Sequence, residues 1–285
     1  MRPFTYVRPV TLSEASALLD EHGPAAAVLA GGTDLVVAIR NGAIAPQVVV
    51  DVKRIAELAP EIDLTGSRLR IGATTLMADV ERNKRVRATF PALADAAATV
   101  GSVQIRNRAT VVGNICHASP AADTVPPLLI YGAEVNISGA RGTRRMPLAE
   151  FLVGPGRTAL ERGELVTSID VPVGPPGHRE AFAKVTRRRG VDLATVNLAC
   201  MVDTQGRTQF AYGAVGPRAF LIADESGVLA DLSAPEATRE RVLSDLLTHA
   251  SPISDVRASR EYRLAMLRVM SLRLLRDCLS RLAPA

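Results

Sequence analysis

The first fifty residues alternate between amphipathic and apolar segments. Residues 11–14 have the T-L-S-E pattern of a capping box, and the apolar positions after them recur with a helical period until Gly23. Short apolar runs at 28–30 and 48–50 are typical of buried strands. The apolar segment between those runs predicts a helix that ends in a left-handed turn at Gly42. This order of helix, strand, helix and strand predicts a small α/β unit.

The middle of the chain changes to a mixture of strands and short helices. Residues 69–73 and 165–171 alternate between apolar and polar side chains, which predicts strands with one buried face. Helical patterns are present at 76–81 and 91–98, and a further strand is expected at 134–137. The middle of the chain therefore predicts an α+β arrangement that is larger than the first unit.

The segment Gly174-Pro175-Pro176-Gly177 is the best candidate for a domain boundary, because glycine and proline end regular structure. We expect one domain at 1–174, with a small α/β subdomain at 1–55 and a larger α+β subdomain at 56–174, and a second domain at 178–285. The second domain is expected to hold three antiparallel strands followed by two helices. The strands are predicted at 181–185, 193–202 and 208–214, and the helices at 235–249 and 259–282.

The composition is that of a globular protein, with 47% hydrophobic and 22% charged residues. The chain lacks tryptophan and its arginines are scattered despite a net charge of +5, which argues against nucleic acid as a partner. Three distant cysteines indicate neither a disulfide framework nor a metal-spaced pair, so a cytoplasmic location is expected. No apolar run is long enough to span a bilayer, and we expect no signal peptide.

A glycine-containing motif follows the first apolar run and occupies residues 29–35. Two adjacent glycines can turn successive N–H groups onto one anion, and Thr33 or Asp34 can cap the helix that follows. The positive end of that helix would add to the attraction for phosphate. The motif is neither the dinucleotide G-x-G-x-x-G fingerprint nor a P-loop, and on its own it is equally compatible with a turn that binds nothing.

A second unusual segment spans residues 110–129. It combines small residues and hydroxyls with the amide of Asn114 and the carboxylate of Asp123, between prolines. Small side chains let a backbone approach a large ligand, whose hydroxyls the polar groups can then bind. Cys116 and His117 favour neither a metal site nor a nucleophilic pair, because no further ligands have metal spacing and adjacent side chains rarely reach each other.

Together the two segments resemble the FAD-binding subunits of the xanthine dehydrogenase family, the medium subunits of molybdenum hydroxylases such as aerobic carbon monoxide dehydrogenase. The resemblance rests on A-G-G-T-D-L at 30–35, a T-x-G-G-N-like stretch at 110–114, A-S-P-A-A-D-T at 118–124 and S-R-E-Y-R at 259–263. It covers essentially the whole chain. It implies an α+β fold of the vanillyl-alcohol-oxidase type, with two FAD-binding subdomains and a C-terminal antiparallel sheet with helices.

The resemblance implies FAD as the cofactor, with no catalytic side chain and no metal ion. The N–H groups of 30–35 would wrap the pyrophosphate, and Thr110 and Asn114 would hold the same region from the other side. Asp123 would bind a hydroxyl of the chain that joins the flavin ring to the phosphates. The implied cofactor-binding residues are Leu29, Ala30, Gly31, Gly32, Thr33, Asp34, Leu35, Thr110, Gly113, Asn114, Asp123, Val166 and Lys184.

Three positions in the second half of the chain leave an alternative open. Val166 and Lys184 match family positions that line the cofactor, and Leu193 matches one near the flavin ring, but they could equally be core residues or a surface charge. Val112 departs from the family, whose members usually carry two glycines where this chain has Val112-Gly113. We expect an ordinary extended backbone at Val112, with its side chain turned away, rather than weakened flavin binding.

The sequence contains neither the cysteine cluster of an iron–sulfur centre nor a second domain large enough for molybdopterin. The resemblance implies that electrons come from a large molybdopterin subunit through the [2Fe–2S] clusters of a small subunit. They would reach FAD here and leave to NAD⁺, oxygen or another acceptor. The implied assembly is a dimer of heterotrimers. Arg106, Arg108 and the run at 187–189 are candidates for the flavin approach or the small-subunit interface.

Two other kinds of function stay open from the sequence. One is a self-contained flavin oxidoreductase, which would need a substrate cavity over the flavin and no partner subunits. The other is a flavin-free assembly protein of the same fold, for which Val112 is the one indication.

Overall fold

The computed structural model describes residues 2–282 and begins with a three-stranded parallel sheet. Its strand order is β1-β3-β2, and all four residues of the central strand are buried. The predicted order of helix, strand, helix and strand is confirmed, and the first strand was not predicted. The elements are β1 (Thr5–Val7), α1 (Leu12–His22), β2 (Ala26–Leu29), α2 (Leu35–Arg40) and β3 (Val48–Asp51).

The capping residues of α1 are those that the sequence predicted. The Thr11 hydroxyl accepts the N–H of Glu14 at 3.2 Å, and the Glu14 carboxylate accepts the N–H of Val10 at 3.0 Å. Gly23 ends the helix with a φ of 48°, which favours glycine.

The second unit is a five-stranded antiparallel sheet, in the order β4-β5-β10-β6-β7, together with seven short helices and a two-stranded hairpin. One apolar core joins this unit to the first sheet, since it contains both Val50 and Ile71. The elements are β4 (Ile62–Thr65), β5 (Arg68–Gly72), α3 (Met77–Arg82), α4 (Lys84–Thr89), α5 (Pro91–Thr99), α6 (Val103–Arg106), α7 (Val111–His117), α8 (Val125–Ile130), β6 (Glu134–Gly139), β7 (Gly142–Pro147), α9 (Leu148–Phe151), β8 (Leu152–Gly154), β9 (Arg157–Thr158) and β10 (Leu165–Pro172).

The third unit is a four-stranded antiparallel sheet in sequential order, covered by two helices that share a separate apolar core with it. Its last strand was not predicted, and β12 begins three residues later than the expected start at Leu193. The elements are β11 (Arg179–Val185), β12 (Val196–Val202), β13 (Thr208–Gly213), β14 (Phe220–Asp224), α10 (Glu236–Leu247) and α11 (Arg260–Leu282). Among residues 2–282, the helices are too short or too polar to cross a bilayer.

Candidate functional site

The loop between β2 and α2, residues 30–35, has a row of backbone donors that bind no acceptor in the part of the chain that the structure describes. We call it the glycine loop. Within residues 2–282, the N–H groups of Gly31 through Leu35 donate to no protein acceptor, and regular bonding resumes with Val36 N–H to Gly32 O at 3.0 Å. The predicted cap is wrong, because neither Thr33 nor Asp34 makes a capping bond with its side chain. Five free donors in succession suit a multiply charged anion such as the diphosphate of FAD.

Gly31 brings the glycine loop against the second segment singled out in the sequence. A Cβ on Gly31 would lie 2.3 Å from the carbonyl oxygen of Arg108 and 2.9 Å from the Cα of Ala109. No side chain fits in that space, so the two backbones touch directly before Thr110. Gly32 supplies the turn itself, with a φ of 76°. The structure therefore places the glycine loop beside the start of α7.

The residues from Thr110 to Asn114 form a helical turn and not an extended loop. Thr110 Oγ1 accepts the N–H of Gly113 at 3.0 Å and caps α7. A Cβ on Gly113 would lie 2.6 Å from that oxygen, which explains a glycine at this position. Val112 is helical and only 4% exposed in the apolar core. The expected extended backbone at Val112 is wrong, because the Thr110 cap starts a helix there.

Asp123 and Lys184, two of the predicted cofactor residues, bind each other. Lys184 Nζ donates to Asp123 Oδ2 at 2.6 Å and to the carbonyl of Thr99 at 3.1 Å, and Asn197 Nδ2 donates to Asp123 Oδ1 at 2.9 Å. The Lys184 side chain is 9% exposed, so it is not a surface charge. Burial raises the pKa of Asp123, although Lys184 and Asn197 oppose the shift. A carboxylate group can accept about four hydrogen bonds, so Asp123 has capacity for a ligand hydroxyl besides its bonds from Lys184 and Asn197.

The loop that carries Asp123 is bound to the C-terminal sheet by its backbone. The N–H of Ala214 donates to Pro120 O at 2.7 Å, and Asn197 Nδ2 lies 3.3 Å from Ala121 O. The buried guanidinium of Arg263 donates to the carbonyl of Ala214 at 3.0 Å. Asp123 therefore lies where the second and third units of the fold meet.

Three predicted residues are less closely connected to this arrangement. Asn114 Oδ1 accepts the hydroxyl of Thr124 at 2.8 Å, so its amide hydrogens are the part that could reach a ligand. Val166 is buried in the core on β10, where the register with β6 shifts. Leu193 is 51% exposed on the loop before β12. Contacts between these residues and a cofactor stay predictions.

Two of the five candidate arginines, Arg106 and Arg187, are engaged in ion pairs. Arg106 makes two bonds to the carboxylate of Glu81, at 2.7 and 3.3 Å. Arg187 pairs with Asp192, and this pairing lowers the pKa of Asp192 to about 2. Arg108 is exposed beside the glycine loop. Of this group, Arg108 is the one next to the candidate site.

Cys116 and His117 have the environments of packing and surface residues. Burial raises the pKa of the Cys116 thiol to about 12, so it carries no reactive thiolate at neutral pH. His117 is exposed. Among residues 2–282, no three His, Cys, Asp or Glu side chains are grouped as metal ligands.

Lys53 is a residue beside the glycine loop that sequence reasoning missed. Its Nζ donates to the carbonyl of Ala30 at 3.2 Å and pairs with Asp51 Oδ1 at 2.7 Å, while the Tyr6 hydroxyl donates to Asp51 Oδ2. Burial disfavours the charged form of Asp51, but the bonds from Lys53 and Tyr6 outweigh it and lower its pKa. Lys53 could have been found from its position just after the predicted strand at 48–50, because ligands bind at the carboxyl ends of parallel strands.

Two family models together match nearly the whole chain. Residues 2–174 match the model described as the FAD binding domain in molybdopterin dehydrogenase. Residues 180–278 match the model described as the CO dehydrogenase flavoprotein C-terminal domain.

Similar full-length proteins and solved structures support the same family. The xanthine dehydrogenase FAD-binding subunit of Escherichia coli O157:H7 is 32% identical over 97% of this chain and 96% of its own length. A carbon monoxide dehydrogenase structure from Hydrogenophaga pseudoflava matches at a TM-score of 0.89 and 32% identity, covering 99% of this chain and 100% of that one. Quinoline 2-oxidoreductase from Pseudomonas putida 86 matches at 0.86 and 26% identity over 98% of each chain. The free donors of the glycine loop fit the cofactor of these proteins, and the chain belongs to the FAD-binding subunits of the molybdopterin dehydrogenase family.

Proposed function

We propose that this chain holds FAD as the electron-transfer subunit of a multi-subunit molybdenum hydroxylase. A large molybdopterin subunit oxidises the substrate, and a small subunit with [2Fe–2S] clusters passes the electrons on. NAD⁺, oxygen or another acceptor then removes them. The family membership supports this division of labour, because medium subunits in the family belong to dehydrogenases of several subunits. When bound, FAD supplies one- and two-electron transfer, and the protein supplies binding and orientation.

The observation that carries the proposal is the row of free N–H groups from Gly31 through Leu35. Four of these five residues are half-buried and Asp34 is exposed, and adjacent donors that the protein leaves unpaired suit a ligand that brings its own oxygens. The contact of Gly31 with the backbone before Thr110 fixes the loop relative to α7. A diphosphate bound here would lie beside both predicted segments.

The Asp123–Lys184 pair has a second task in the proposal. FAD would lie between the small subdomain at 1–55 and the larger one at 56–174, with its ribityl chain toward Asp123. The carboxylate accepts a ribityl hydroxyl with a remaining lone pair, while Lys184 and Asn197 keep it oriented. The domain at 178–285 contributes both of these donors. It therefore helps to shape a site on the FAD-binding domain.

The assembly that we propose is a dimer of heterotrimers that works in the cytoplasm. The exposed side chain of Leu193 and the arginine run at 187–189 belong to the same loop of the C-terminal domain. This loop is the candidate contact with the small subunit, because it presents both apolar and positively charged groups.

A visible absorption spectrum of the purified full chain, followed by acid release of the flavin, tests the first part of the proposal. We expect one FAD per chain. Purification of the assembly from its native host tests the second part, and molybdenum and iron should copurify in larger and smaller subunits. Turnover of a substrate by the flavin-loaded chain alone would contradict the electron-transfer assignment.

A further inference from the structure

The ammonium group of Lys53 lies at the carboxyl edge of the parallel sheet, against the glycine loop. Within residues 2–282 its partners are Asp51 Oδ1 at 2.7 Å and the carbonyl of Ala30 at 3.2 Å. An ammonium group has three hydrogens, so one stays available for a ligand. The side chain is 35% exposed, which leaves room for that ligand to approach.

We propose that Lys53 binds a phosphate oxygen of the FAD diphosphate and supplies the positive charge that the glycine loop lacks. This inference rests on the proposed function, since it requires FAD to occupy the loop. Residues 30–35 include no cationic side chain and one carboxylate, Asp34. Backbone N–H groups provide only partial charges, and a full cation beside them strengthens the attraction for a diphosphate.

Asp51 and Tyr6 orient the Lys53 side chain toward the loop. Asp51 is buried and accepts the backbone N–H of Lys53 at 3.1 Å as well as its ammonium group, while the Tyr6 hydroxyl holds the other carboxylate oxygen. The ion pair therefore has its negative end in the protein and its positive end in solvent beside Ala30. An anion at the glycine loop meets the ammonium group before it meets the carboxylate.

The rarity of lysine makes this residue simple to follow by experiment. Lys53, Lys84 and Lys184 are the three lysines of the chain, and the rest of its 34 basic residues are arginines. Lys84 is exposed at the start of α4, whereas Lys184 is buried against Asp123. Acetylation of the folded chain followed by mass spectrometry therefore compares a site residue with an exposed and a buried reference.

The test measures the acetylation rate of each lysine in the full chain, with and without saturating FAD. We expect FAD to slow the acetylation of Lys53 roughly tenfold, because a tenfold change corresponds to the free energy of one charge-assisted hydrogen bond. The acetylation rate of Lys84 should not change. Equal Lys53 rates in the free and the FAD-loaded chain would overturn the assignment. Riboflavin, which lacks the diphosphate, serves as the control ligand and should not protect Lys53.

Variants give an independent measurement of the same contact. Lys53→Met should weaken FAD binding roughly tenfold at low salt and reduce its salt dependence, because a charged contact is lost. Lys53→Arg should restore most of the affinity, and Lys84→Met should bind like the wild type. FAD uptake with unchanged affinity in Lys53→Met contradicts the role of Lys53 alone. A chain that takes up no FAD contradicts the proposed function and this inference together.

Discussion

The two lysine–aspartate pairs Lys184–Asp123 and Lys53–Asp51 have the same chemistry and similarly buried aspartates, but their lysines have different surroundings. Lys184 and Asp123 are almost fully buried where the FAD-binding part meets the C-terminal sheet, with 9% and 8% of their side chains exposed. Lys53 in the other pair is 35% exposed beside the glycine loop. Each lysine also binds one backbone carbonyl. The two pairs therefore differ in whether solvent reaches the lysine: Lys184 is enclosed by the protein, whereas the ammonium group of Lys53 is open to an approaching anion.

The difference is also visible in the acidity of the two aspartates. Burial raises the pKa of Asp123, whereas the bonds that Asp51 receives lower its pKa. A buried pair loses much of its attraction to desolvation, but removing one partner leaves an uncompensated group in the interior. The Lys53–Asp51 pair should lose less when Lys53 is removed, because that lysine is partly exposed and Asp51 keeps the bonds from the Tyr6 hydroxyl and from the backbone N–H of residue 53. The predictions below follow from this contrast, beginning with the largest expected effect on stability.

The first prediction concerns the buried pair. Lys184→Met leaves Asp123 without its cation, and we expect the free energy of unfolding to fall by about 3–5 kcal/mol. Urea unfolding followed by circular dichroism measures this loss. Lys84→Met is the matched control, because Lys84 is exposed, and it should change little. A Lys184→Met variant as stable as this control would show that the buried pair does not join the two parts.

The second prediction tests whether Val112 on α7 stabilises the core and does not obstruct the cofactor site. Val112→Gly removes a buried side chain from a helix, so the free energy of unfolding should fall by about 2–4 kcal/mol. FAD affinity, measured by flavin fluorescence titration at a temperature where the variant is folded, should not improve. A tenfold gain in affinity would show that the valine obstructs the cofactor site.

The third prediction tests the contact that fixes the glycine loop. Gly31→Ala places a methyl group 2.3 Å from the Arg108 carbonyl, so the loop must move. We expect a loss of about 1–3 kcal/mol in stability together with roughly tenfold weaker FAD binding. Gly154→Ala is the control, because a Cβ there meets nothing within 4 Å. Unchanged FAD binding in Gly31→Ala would show that the affinity for FAD does not depend on the contact between Gly31 and the Arg108 carbonyl.

The fourth prediction compares how much the Lys53–Asp51 pair and the Lys184–Asp123 pair each contribute to the free energy of unfolding. Lys53→Met should lower the free energy of unfolding by about 1–2 kcal/mol, less than Lys184→Met, because the buried Asp51 keeps the bonds from the Tyr6 hydroxyl and from the backbone N–H of residue 53. Thermal unfolding of Lys53→Met and Lys184→Met in the same buffer compares the two directly. Equal losses at the two sites would remove the distinction that burial makes between the pairs.

The fifth prediction concerns a third ionic contact, near the linker between the domains. His178 Nε2 lies 2.5 Å from Glu180 Oε2, and its Nδ1 lies 2.6 Å from the carbonyl of Pro175. Glu180 raises the pKa of His178. The stabilisation is therefore complete below the unfolded pKa of about 6.5 and is lost as the pH rises through the folded pKa.

Comparison of the wild type with His178→Gln isolates this contribution. The wild type should be the more stable protein at about pH 6, and its advantage should shrink at higher pH. Urea unfolding at a series of pH values measures the difference. A constant difference across the series would show that the charge on His178 does not contribute.

Local features of the fold were predictable because neighbouring residues determine them. The Thr11 cap of α1 and the glycine turn after β2 depend on interactions over a few residues, and both are present, although the Glu14 carboxylate binds the N–H of Val10 and not that of Thr11. The backbone at Val112 was predicted wrongly, since Thr110 and Gly113 together specify a helical cap that outweighs the β-branched side chain. A backbone conformation is therefore predicted correctly from a short segment only when all of its capping residues are considered together.

The contacts of the candidate site could not be derived from local patterns. Asp123 and Lys184 are far apart in sequence, and their contact depends on how β11 packs against the loop at 119–123. The role proposed for Lys53 depends on β3 lying beside β2. The family could be predicted from the resemblance, whereas the hydrogen bonds and ion pairs of each site residue are known only from the structure. The contacts of the implied site residues with FAD stay predictions.

Hydrogen exchange of the glycine-loop amides, with and without FAD, tests the central claim most directly. Among the described residues 2–282, the N–H groups of Gly31 through Leu35 have no protein acceptor, so we expect them to exchange rapidly in the flavin-free chain. Bound FAD should slow their exchange and leave the amides of α10 unchanged. Equal exchange of these five amides in the free and FAD-loaded chain would contradict the account, because the diphosphate would then bind elsewhere.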